Sequence, residues 1–511
     1  MLVQAYNLMA HPFLLFLLFS CIISTNIHAC KQTERSSLLS FASTLSSPPL
    51  NWTSLDCCRW KGITCDQDGW VTRLLLPSKG LKGVDLSSNH FFGAIPSSFF
   101  QQASNLTSFN VSNNTFTGYV PSSICLQHSS PFLRLLDFSS NVFSGNLAPG
   151  LGKCSKLQVF RAGHNNLSGL FPEDIYNATK LEEIALPLNS LHGAISDKIV
   201  NLTNLATLDL YYNHFGGELP LNLGKLSKLK FVNFDFNNLE GTLPPSLMNC
   251  TKLVELRLGS NNLEGDISML DFSRLSQLTK LDLMMNNFTG AMKILMSCKS
   301  LHALLLSGSF VGEGMPSDDD MVDFHGFQNL RVLALESSNL TGQIPLWLSK
   351  LKNLEILCLS SNQITGPIPS WLGTLPRLFY IRLSDNRISG EFPKQLCRLP
   401  SLLYEPNIAS QVDKYEFEFP LTSNSVSINA NQTFPQQKLY FLPGWIDVSN
   451  NNISGYIPAE IGQLQLLRKL ALDSNNFSGI IPDQISNLKN LEVLDLSTNH
   501  LSGIIPFIGE S

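Results

Sequence analysis

The chain has 511 residues, of which 43 % are apolar and only 15 % are charged, and its formal net charge is −5. The absence of a basic excess argues against a nucleic-acid-binding protein, and eleven cysteines over this length are too few for a small disulfide-dense scaffold. The composition therefore indicates a large folded protein, which is either one core or many stacked units.

An apolar run, Phe13–Ile23, lies near the N-terminus. It is too short to cross a bilayer comfortably and is typical of the apolar core of a signal peptide, with cleavage expected after Ala29. The preceding residues contain no Lys or Arg, so an uncleaved anchor stays as an alternative. We predict a signal peptide over residues 1–29 and entry into the secretory pathway, which leads to the cell surface (the extracellular side of the plasma membrane) or to secretion.

Glycosylation signals agree with export. The acceptor pattern Asn-X-Ser/Thr occurs thirteen times, at Asn51, Asn105, Asn110, Asn113, Asn166, Asn177, Asn201, Asn249, Asn287, Asn339, Asn431, Asn452 and Asn476. An Asn-rich repeat generates such signals by chance, but their number in an exported chain predicts that some carry glycans.

One pattern recurs along most of the chain: L-x-L-x-x-N-x-L-x-G-x-I-P, as in Leu208–Pro220. Its asparagine position, which we call the ladder position, commonly recurs every 24 residues, with one step of 65 between 386 and 451 that contains 41 extra residues. The ladder positions are residues 89, 114, 141, 165, 189, 213, 237, 261, 286, 309, 338, 362, 386, 451, 475 and 499, and Ser309 and Ser338 replace the asparagine.

Each unit has a simple physical interpretation. The L-x-L pair predicts a short strand whose leucines face the core. The asparagine can satisfy backbone groups that the following bend leaves unpaired, and the rest of the unit returns as a short helical or 3₁₀ segment. One unit cannot bury its apolar side alone, so the units must stack into a solenoid with a parallel sheet.

These residues resemble the plant-specific leucine-rich repeat over about residues 71–507. The segment before it is similar to the N-terminal cap of plant leucine-rich receptors, in Ser36–Phe41, Leu50–Trp52 and Asp56–Cys65. The resemblance implies an α/β fold: a right-handed leucine-rich repeat solenoid with a concave parallel β-sheet. It also implies that Cys30 pairs with Cys57 and Cys58 with Cys65, whereas the sequence alone leaves three pairings open.

The expected order is a cap over residues 30–70, repeats over 71–401, an island insertion over 402–442, and repeats over 443–511 that end without a C-terminal cap. The first repeat lacks about 14 residues of the common spacing. We predict buried free thiols at the cysteines of the return segments, which are Cys125, Cys154, Cys250, Cys298 and Cys397. Cys358, between Leu357 and Leu359, is predicted to face outward from its strand.

The island and its flanks, Trp371–Ile381, Ile461–Leu464 and Asp483–Leu488, look like those of the phytosulfokine-type receptors for tyrosine-sulfated peptides. That resemblance implies a secreted peptide ligand, such as a tyrosine-sulfated one, held between solenoid and island, and a leucine-rich repeat co-receptor kinase as a second partner. Unlike those receptors, the chain shows no kinase motif and no later apolar stretch long enough to span a membrane.

Side chains six, four and two residues before each ladder position should face outward from the concave sheet. Aromatic and charged residues there suit peptide recognition, and our candidates are Tyr211, Phe231, Asp235, Arg257, Lys280, Asp282, Glu336, Tyr380, Arg382 and Lys469. The four basic residues among them are candidate partners for sulfate or carboxylate. In the island, Tyr415, Phe417 and Phe419 alternate with acidic residues and predict a half-buried strand that either contacts ligand or packs on the solenoid.

Two other functions compete with peptide reception. A secreted inhibitor of cell-wall hydrolases, similar to polygalacturonase-inhibiting proteins, would use a comparable solenoid with fewer repeats and no island. A shortened, non-signalling decoy is the other. We predict no enzyme, metal site or small-molecule cofactor, because the acidic run Asp318–Asp320 has no partner at metal-ligand or triad spacing.

Overall fold

The computed structural model describes residues 30–43, 52–74, 82–125, 129–290, 298–318, 326–403, 418–419, 437–438 and 442–506. The chain divides into two compact units, residues 1–191 and 192–511, which we describe separately. The predicted signal peptide, Asn51, Asn431, Tyr415 and Phe417 lie outside the described residues.

The first unit begins with the predicted cap. An α-helix, Gln32–Ser43, and a 3₁₀ turn, Cys57–Arg59, precede an antiparallel pair of strands, Ile63–Cys65 and Val71–Leu74. Trp52 and Trp60 stack with ring centroids 4.9 Å apart. The two implied disulfides, Cys30–Cys57 and Cys58–Cys65, are confirmed, and they tie the helix to the turn and the turn to the first strand.

Repeats follow the cap, each with a strand in a main sheet and most with a strand in one of two lateral sheets. In the first unit the main strands are parallel and comprise Gly83–Asp85, Ser108–Asn110, Leu135–Asp137, Val159–Arg161 and Glu183–Ala185. The lateral strands are Phe92–Ala94, Thr115–Gly118, Val142–Asn146, Asn166–Leu170 and Ser190–Ala194, the last of which crosses the boundary of the unit. The return segments contain the helix Ser98–Gln102 and the 3₁₀ turns Leu151–Lys153 and Glu173–Asn177.

The second unit repeats this plan. Its main strands, all parallel, are Thr207–Asp209, Phe231–Asn233, Glu255–Arg257, Lys280–Asp282, Ala303–Leu305, Val332–Ala334, Ile356–Cys358, Tyr380–Arg382, Gly444–Asp447, Leu467–Ala471 and Val493–Asp495. Its lateral strands are His214–Glu218, Asn238–Gly241, Asn262–Asp266, Asn287–Thr289, Thr341–Gly342, Gln363–Gly366, Arg387–Glu391, Asn452–Tyr456, Asn476–Ile480 and His500–Ser502.

The return segments of the second unit are short, as the sequence predicted. They comprise the 3₁₀ turns Asp197–Asn201, Leu223–Lys225, Pro245–Asn249, Ile267–Met269, Phe272–Arg274, Leu346–Lys350, Ser370–Thr374, Lys394–Arg398, Ala459–Gln463 and Asp483–Asn487, with the helix Pro400–Leu403. The leucines of each repeat form the core: Leu208 and Leu210 from a strand, and Leu223, Leu226 and Leu229 from a return segment, are all buried. Together these elements form the predicted leucine-rich repeat solenoid.

The ladder asparagines brace the bends. Asn237 donates from Nδ2 to the carbonyls of Phe234 (3.1 Å), Asp235 (3.4 Å) and, in the preceding repeat, Leu210 (3.0 Å). Its Oδ1 accepts the backbone N–H of Phe215, also in the preceding repeat, at 2.9 Å. One amide thus satisfies four backbone groups that the bend would leave unpaired. Asn114, Asn189, Asn261, Asn362 and Asn475 make the same four contacts.

The motif glycine has a packing reason as well as a conformational one. Gly479 has a φ of +79°, and a Cβ placed on it would lie 2.5 Å from Cδ1 of Tyr456, whose ring crosses it from the preceding repeat. The position therefore excludes a side chain both because the backbone is left-handed and because the neighbouring repeat occupies the space.

One cysteine prediction is wrong. Cys125 and Cys154 form a third disulfide, with Cα atoms 5.3 Å apart, rather than two free thiols. They lie in return segments of consecutive repeats, and stacking brings these segments together at a separation that a disulfide requires. Cys250, Cys298 and Cys397 are free and buried, as predicted.

The asparagine ladder gives a stability test. We expect Asn237→Ala to lower the free energy of unfolding by about 3 kcal/mol, because four buried backbone groups lose their partner. The adjacent and exposed Asn238→Ala is the matched control and should change it by less than about 0.5 kcal/mol. Urea unfolding of the full chain measures both variants, and equal losses would show that the ladder amide has no special role.

Candidate functional site on the outward face of the second unit

The candidate site lies on the outward face of the second unit, which we define as the side chains two, four and six residues before each ladder position. Strand alternation sends the leucines inward and these side chains to the opposite face. The face divides into three zones along the chain: an ion cluster, an apolar patch and a tryptophan cluster.

The ion cluster comprises Asp235, Glu255, Arg257, Lys280 and Asp282. Arg257 Nε donates to Asp235 Oδ2 at 2.8 Å, and the Gly259 backbone N–H donates to Asp235 Oδ1 at 2.7 Å. These charges are buried: the exposed fraction is 1 % for Asp235 and Asp282, 4 % for Lys280 and 6 % for Arg257. Buried charges are tolerated only when they are paired, so the cluster acts as one unit.

Burial changes the ionisation of this cluster. It raises the pKa of Asp282 to about 7, and the negative charge of Asp235 adds to the rise, while Arg257 and Lys280 oppose it. Burial lowers the pKa of Lys280, and the charge of Arg257 lowers it further. For Arg257, burial is outweighed by Asp235 and Asp282, so its pKa is raised and it stays cationic. The pKa shift of Asp282 therefore places its titration near neutral pH.

The apolar patch is a feature that our sequence prediction missed. Its members are buried hydrophobic side chains on neighbouring strands, with Phe379, Leu442 and Trp445 partly buried against them, and they are Met284, Ala303, Leu305, Val332, Ala334, Ile356, Cys358 and Tyr380. The signal was present: three consecutive main strands carry apolar residues at both of their outward positions. Cys358 does lie on the outward face, and burial raises the pKa of its thiol well above the usual value.

The tryptophan cluster comprises Glu336, Arg382, Trp445, Asp447 and Lys469. Arg382 Nη1 lies 2.9 Å from Glu336 Oε1, and Arg382 Nε lies 3.8 Å from Asp447 Oδ2. The Trp445 ring has two cations near it, the Arg382 guanidinium at 5.3 Å and the Lys469 ammonium at 4.9 Å from its centroid. An aromatic surface between cations and carboxylates can bind a peptide by stacking and by charge-assisted hydrogen bonds.

Two polar atoms of this cluster stand out. Arg382 Nε and Glu336 Oε1 are both buried without a hydrogen bond, although Glu336 Oε1 is close enough to Arg382 Nη1 to form an ion pair. At 2.9 Å the opposite charges of Glu336 and Arg382 form an ion pair. Burial raises the pKa of Glu336, and Arg382 opposes this rise.

The candidates from sequence therefore separate into groups. Asp235, Arg257, Lys280 and Asp282 come together in the ion cluster, with Tyr211 buried at its border. Glu336, Arg382 and Lys469 meet around Trp445, and Tyr380 contacts that ring edge-on with centroids 5.3 Å apart. Phe231 lies beside Glu255 on the neighbouring strand and is 41 % exposed. Phe419 belongs to a strand, Glu418–Phe419, that pairs antiparallel with Gln437–Lys438.

Other kinds of site are not evident among the described residues. They contain no group of three or more His, Cys, Asp or Glu side chains arranged to hold a metal ion. No helix within the described ranges combines the length and apolar character needed to cross a membrane. The sequon asparagines that can be assessed are accessible: Asn110 is half-buried, and the exposed ones are Asn105, Asn113, Asn166, Asn177, Asn201, Asn249, Asn287, Asn339, Asn452 and Asn476.

Comparison with known families agrees with this architecture. Residues 139–397 match the family described as "Leucine-rich repeat region", residues 31–66 match "Leucine rich repeat N-terminal domain", and residues 465–506 match "Leucine rich repeat". The first match covers half of the chain, and the second falls on the stretch that contains the cap helix and its two disulfides.

Two relatives from Arabidopsis thaliana are similar in sequence. Receptor-like protein 3 is 41 % identical over 570 aligned residues, which cover 87 % of this chain and 75 % of the relative. Phytosulfokine receptor 1 is 34 % identical over 192 residues, which cover 29 % of this chain and 19 % of the receptor.

Two solved structures show the same fold. A TDR receptor superimposes with a TM-score of 0.64 at 28 % identity, over 82 % of this chain and 68 % of that one. The Arabidopsis receptor kinase HAESA, solved with the peptide hormone IDA and the co-receptor SERK1, superimposes with a TM-score of 0.54 at 26 % identity, over 93 % of this chain and 87 % of that one.

The ion cluster predicts a pH dependence of stability. The pKa of Asp282 is higher in the folded than in the unfolded chain, so its stabilising effect is complete at acidic pH and is lost as the pH rises through about 7. We expect the free energy of unfolding to fall by about 2 kcal/mol between pH 5 and pH 8, and Asp282→Asn to remove most of this fall. Urea unfolding at each pH measures the effect, with the exposed Asp197→Asn as the control. An unchanged pH profile in Asp282→Asn would contradict this assignment.

Proposed function

The chain belongs to the plant leucine-rich repeat receptor-like proteins, and we propose that it binds a secreted peptide at the extracellular face of the cell through the outward face of its second unit. The observation that carries this proposal is the tryptophan cluster. It combines a large aromatic side chain, two cations and two carboxylates on one face, and such combinations dominate the binding energy of protein interfaces.

The position of the cluster favours a peptide ligand. Trp445 lies only three residues after Leu442, where the chain returns from the island. Both side chains pack against the apolar patch. A peptide at the tryptophan cluster would place apolar side chains beside Leu442 and Trp445, which are only partly buried, and polar groups beside the charged members of that cluster. We include Tyr415, Phe417 and Phe419 of the island in the proposed contact surface, because an extended strand can pair with a peptide through its backbone.

The ligand class follows from charge. Arg382 Nε is a buried donor without a hydrogen-bond acceptor, and Lys469 adds a second cation at the same ring. An anionic group on the peptide, such as a sulfated tyrosine, would supply the missing acceptor and stack on Trp445. The partial similarity to Phytosulfokine receptor 1 supports testing this class first.

The comparisons also suggest a second partner. HAESA was solved with both a peptide hormone and a co-receptor, and GASSHO1/SCHENGEN3 was solved with CASPARIAN STRIP INTEGRITY FACTOR 2. The second of these superimposes with a TM-score of 0.59 at 25 % identity, over 93 % of this chain and 56 % of that one. We therefore propose a leucine-rich repeat co-receptor kinase that joins the complex once the peptide is bound.

Calorimetry with phytosulfokine in sulfated and unsulfated forms tests this function. We expect tighter binding of the sulfated form, and we expect Arg382→Gln to weaken that binding by about tenfold because it removes a charge-assisted contact. Arg387→Gln, which removes the same charge from an exposed position on a lateral strand, is the matched control and should leave the affinity unchanged. Deleting residues 404–441 separates the island's contribution from that of the strands.

Two results would contradict the proposal. One is equal affinity for the sulfated peptide in the full chain and in Arg382→Gln. The other is inhibition of a cell-wall polygalacturonase by the full chain without any peptide binding, which would favour the inhibitor function instead.

A further inference from the structure

One edge of the second unit's main sheet carries a strong charge excess. We define the basic edge as the residues ten to seven positions before each ladder position, where the chain passes from the return segment into the main strand. It contains nine basic residues and two acidic ones, Glu355 and Glu492, in a chain whose net charge is −5. The basic residues are Lys228, Lys230, Lys252, Lys299, Arg331, Lys352, Arg377, Arg468 and Lys489.

A continuous row of backbone hydrogen bonds fixes this edge. Along it the N–H of one repeat donates to the carbonyl of the repeat before, from Lys230 to Ala206 (2.8 Å) through to Phe379 to Glu355 (3.1 Å). The bonds between these two, through Val254, Thr279, His302, Arg331 and Glu355, measure 2.7 to 2.8 Å. Lys230 and Arg331 belong to this row, and the other basic residues up to Arg377 lie two or three residues before one of its members. Neighbouring main strands are about 4.8 Å apart.

Most of these charges have no counter-charge. Arg331 is held by Glu355 through two bonds of 3.0 and 2.9 Å, and Arg468 lies 2.9 Å from Glu492. Six exposed side chains make no ion pair and no side-chain hydrogen bond within the described part of the chain, and they are Lys230, Lys252, Lys299, Lys352, Arg377 and Lys489. Like charges in a row repel each other unless an anion lies beside them.

The acceptor asparagines of the second unit lie outside the edge. The assessable ones are on return turns or at lateral strands, and they are Asn201, Asn249, Asn287, Asn339, Asn452 and Asn476. Only Asn249 lies near one of the basic residues of the edge, three positions before Lys252.

We propose that the basic edge binds a linear acidic polysaccharide, a polyuronate chain that runs along the stack of repeats. Its carboxylates would meet a lysine or arginine in eight of the eleven repeats of the second unit, because residues 203–206, 276–279 and 441–444 carry none. The residues are mostly lysines, which act as point charges and suit many single carboxylates better than paired recognition of one group. Because the spacing between repeats is shorter than the screening length of about 8 Å at physiological salt, neighbouring charges act together on a polymer.

The site is separate from the proposed peptide site. It uses the edge of the sheet rather than its outward face, and none of its basic residues belongs to the three zones. A receptor-like protein with both sites would hold the polymer at its edge while a peptide occupies its face.

Binding of the full chain to polygalacturonate tests the inference, with fully methyl-esterified polygalacturonate as the uncharged polymer. We expect binding to the acidic polymer only, weakened by added salt. The variant Lys252→Gln/Lys299→Gln/Arg377→Gln should bind about tenfold more weakly. The control variant Lys198→Gln/Arg387→Gln/Lys394→Gln removes the same net charge from exposed positions of the second unit outside the edge, and it should bind as the unmodified chain does.

Three results would overturn the proposal. The first is an equal loss of affinity for polygalacturonate in both triple variants, which would mean that net charge alone acts. The others are equal binding of the esterified polymer and tighter binding of duplex DNA than of polygalacturonate. Thermal unfolding of both variants shows that each is folded, and because the edge lies away from the peptide site, failure here leaves the proposed function untouched.

Discussion

The side-chain amide at each bend is the interaction on which the rest of the structure depends. Each repeat reverses direction immediately after its main strand, and the reversal leaves backbone N–H and carbonyl groups buried without partners. Asn237 and its equivalents satisfy four such groups at once, two in their own repeat and two in the preceding one. Leaving these groups unpaired costs much free energy. The ladder position therefore accepts fewer residue types than the neighbouring core positions do.

Where a serine replaces the asparagine, only part of this bonding remains. Ser309 donates to the Leu283 carbonyl and accepts the N–H of Asn286 at 3.1 Å, so it still links its repeat to the one before. Ser338 instead donates to Glu336 within its own repeat. Both lie where the spacing between ladder positions departs from 24 residues. The same repeats supply strands of the apolar patch. The irregular repeats and the apolar patch thus occupy the same region of the second unit.

The sequence predicts the features that are determined within one repeat. It does not predict the features that depend on contacts between side chains of neighbouring repeats. The strands, the buried leucines, the return turns and the ladder contacts all follow from a 24-residue period, and the cap disulfides follow from resemblance. The Cys125–Cys154 bond was missed because each cysteine looks like an ordinary buried position within its own repeat. Four of the five residues of the ion cluster, all but Glu255, were predicted as candidates, but their burial was not, since the pairing of Arg257 with Asp235 depends on side chains of adjacent repeats. The apolar patch was missed for the same reason.

The ladder contacts also give the solenoid a direction. Every cross-repeat bond made by Asn237, Asn261 or Asn475 points toward the repeat that precedes it in the chain. In these side-chain contacts, a repeat is therefore completed by its successor. During synthesis the N-terminal repeats emerge first, and each new repeat can lock the one already made as it arrives. Assembly can thus proceed in step with translation, so that at any moment only the most recently formed repeat lacks the asparagine contacts of its successor.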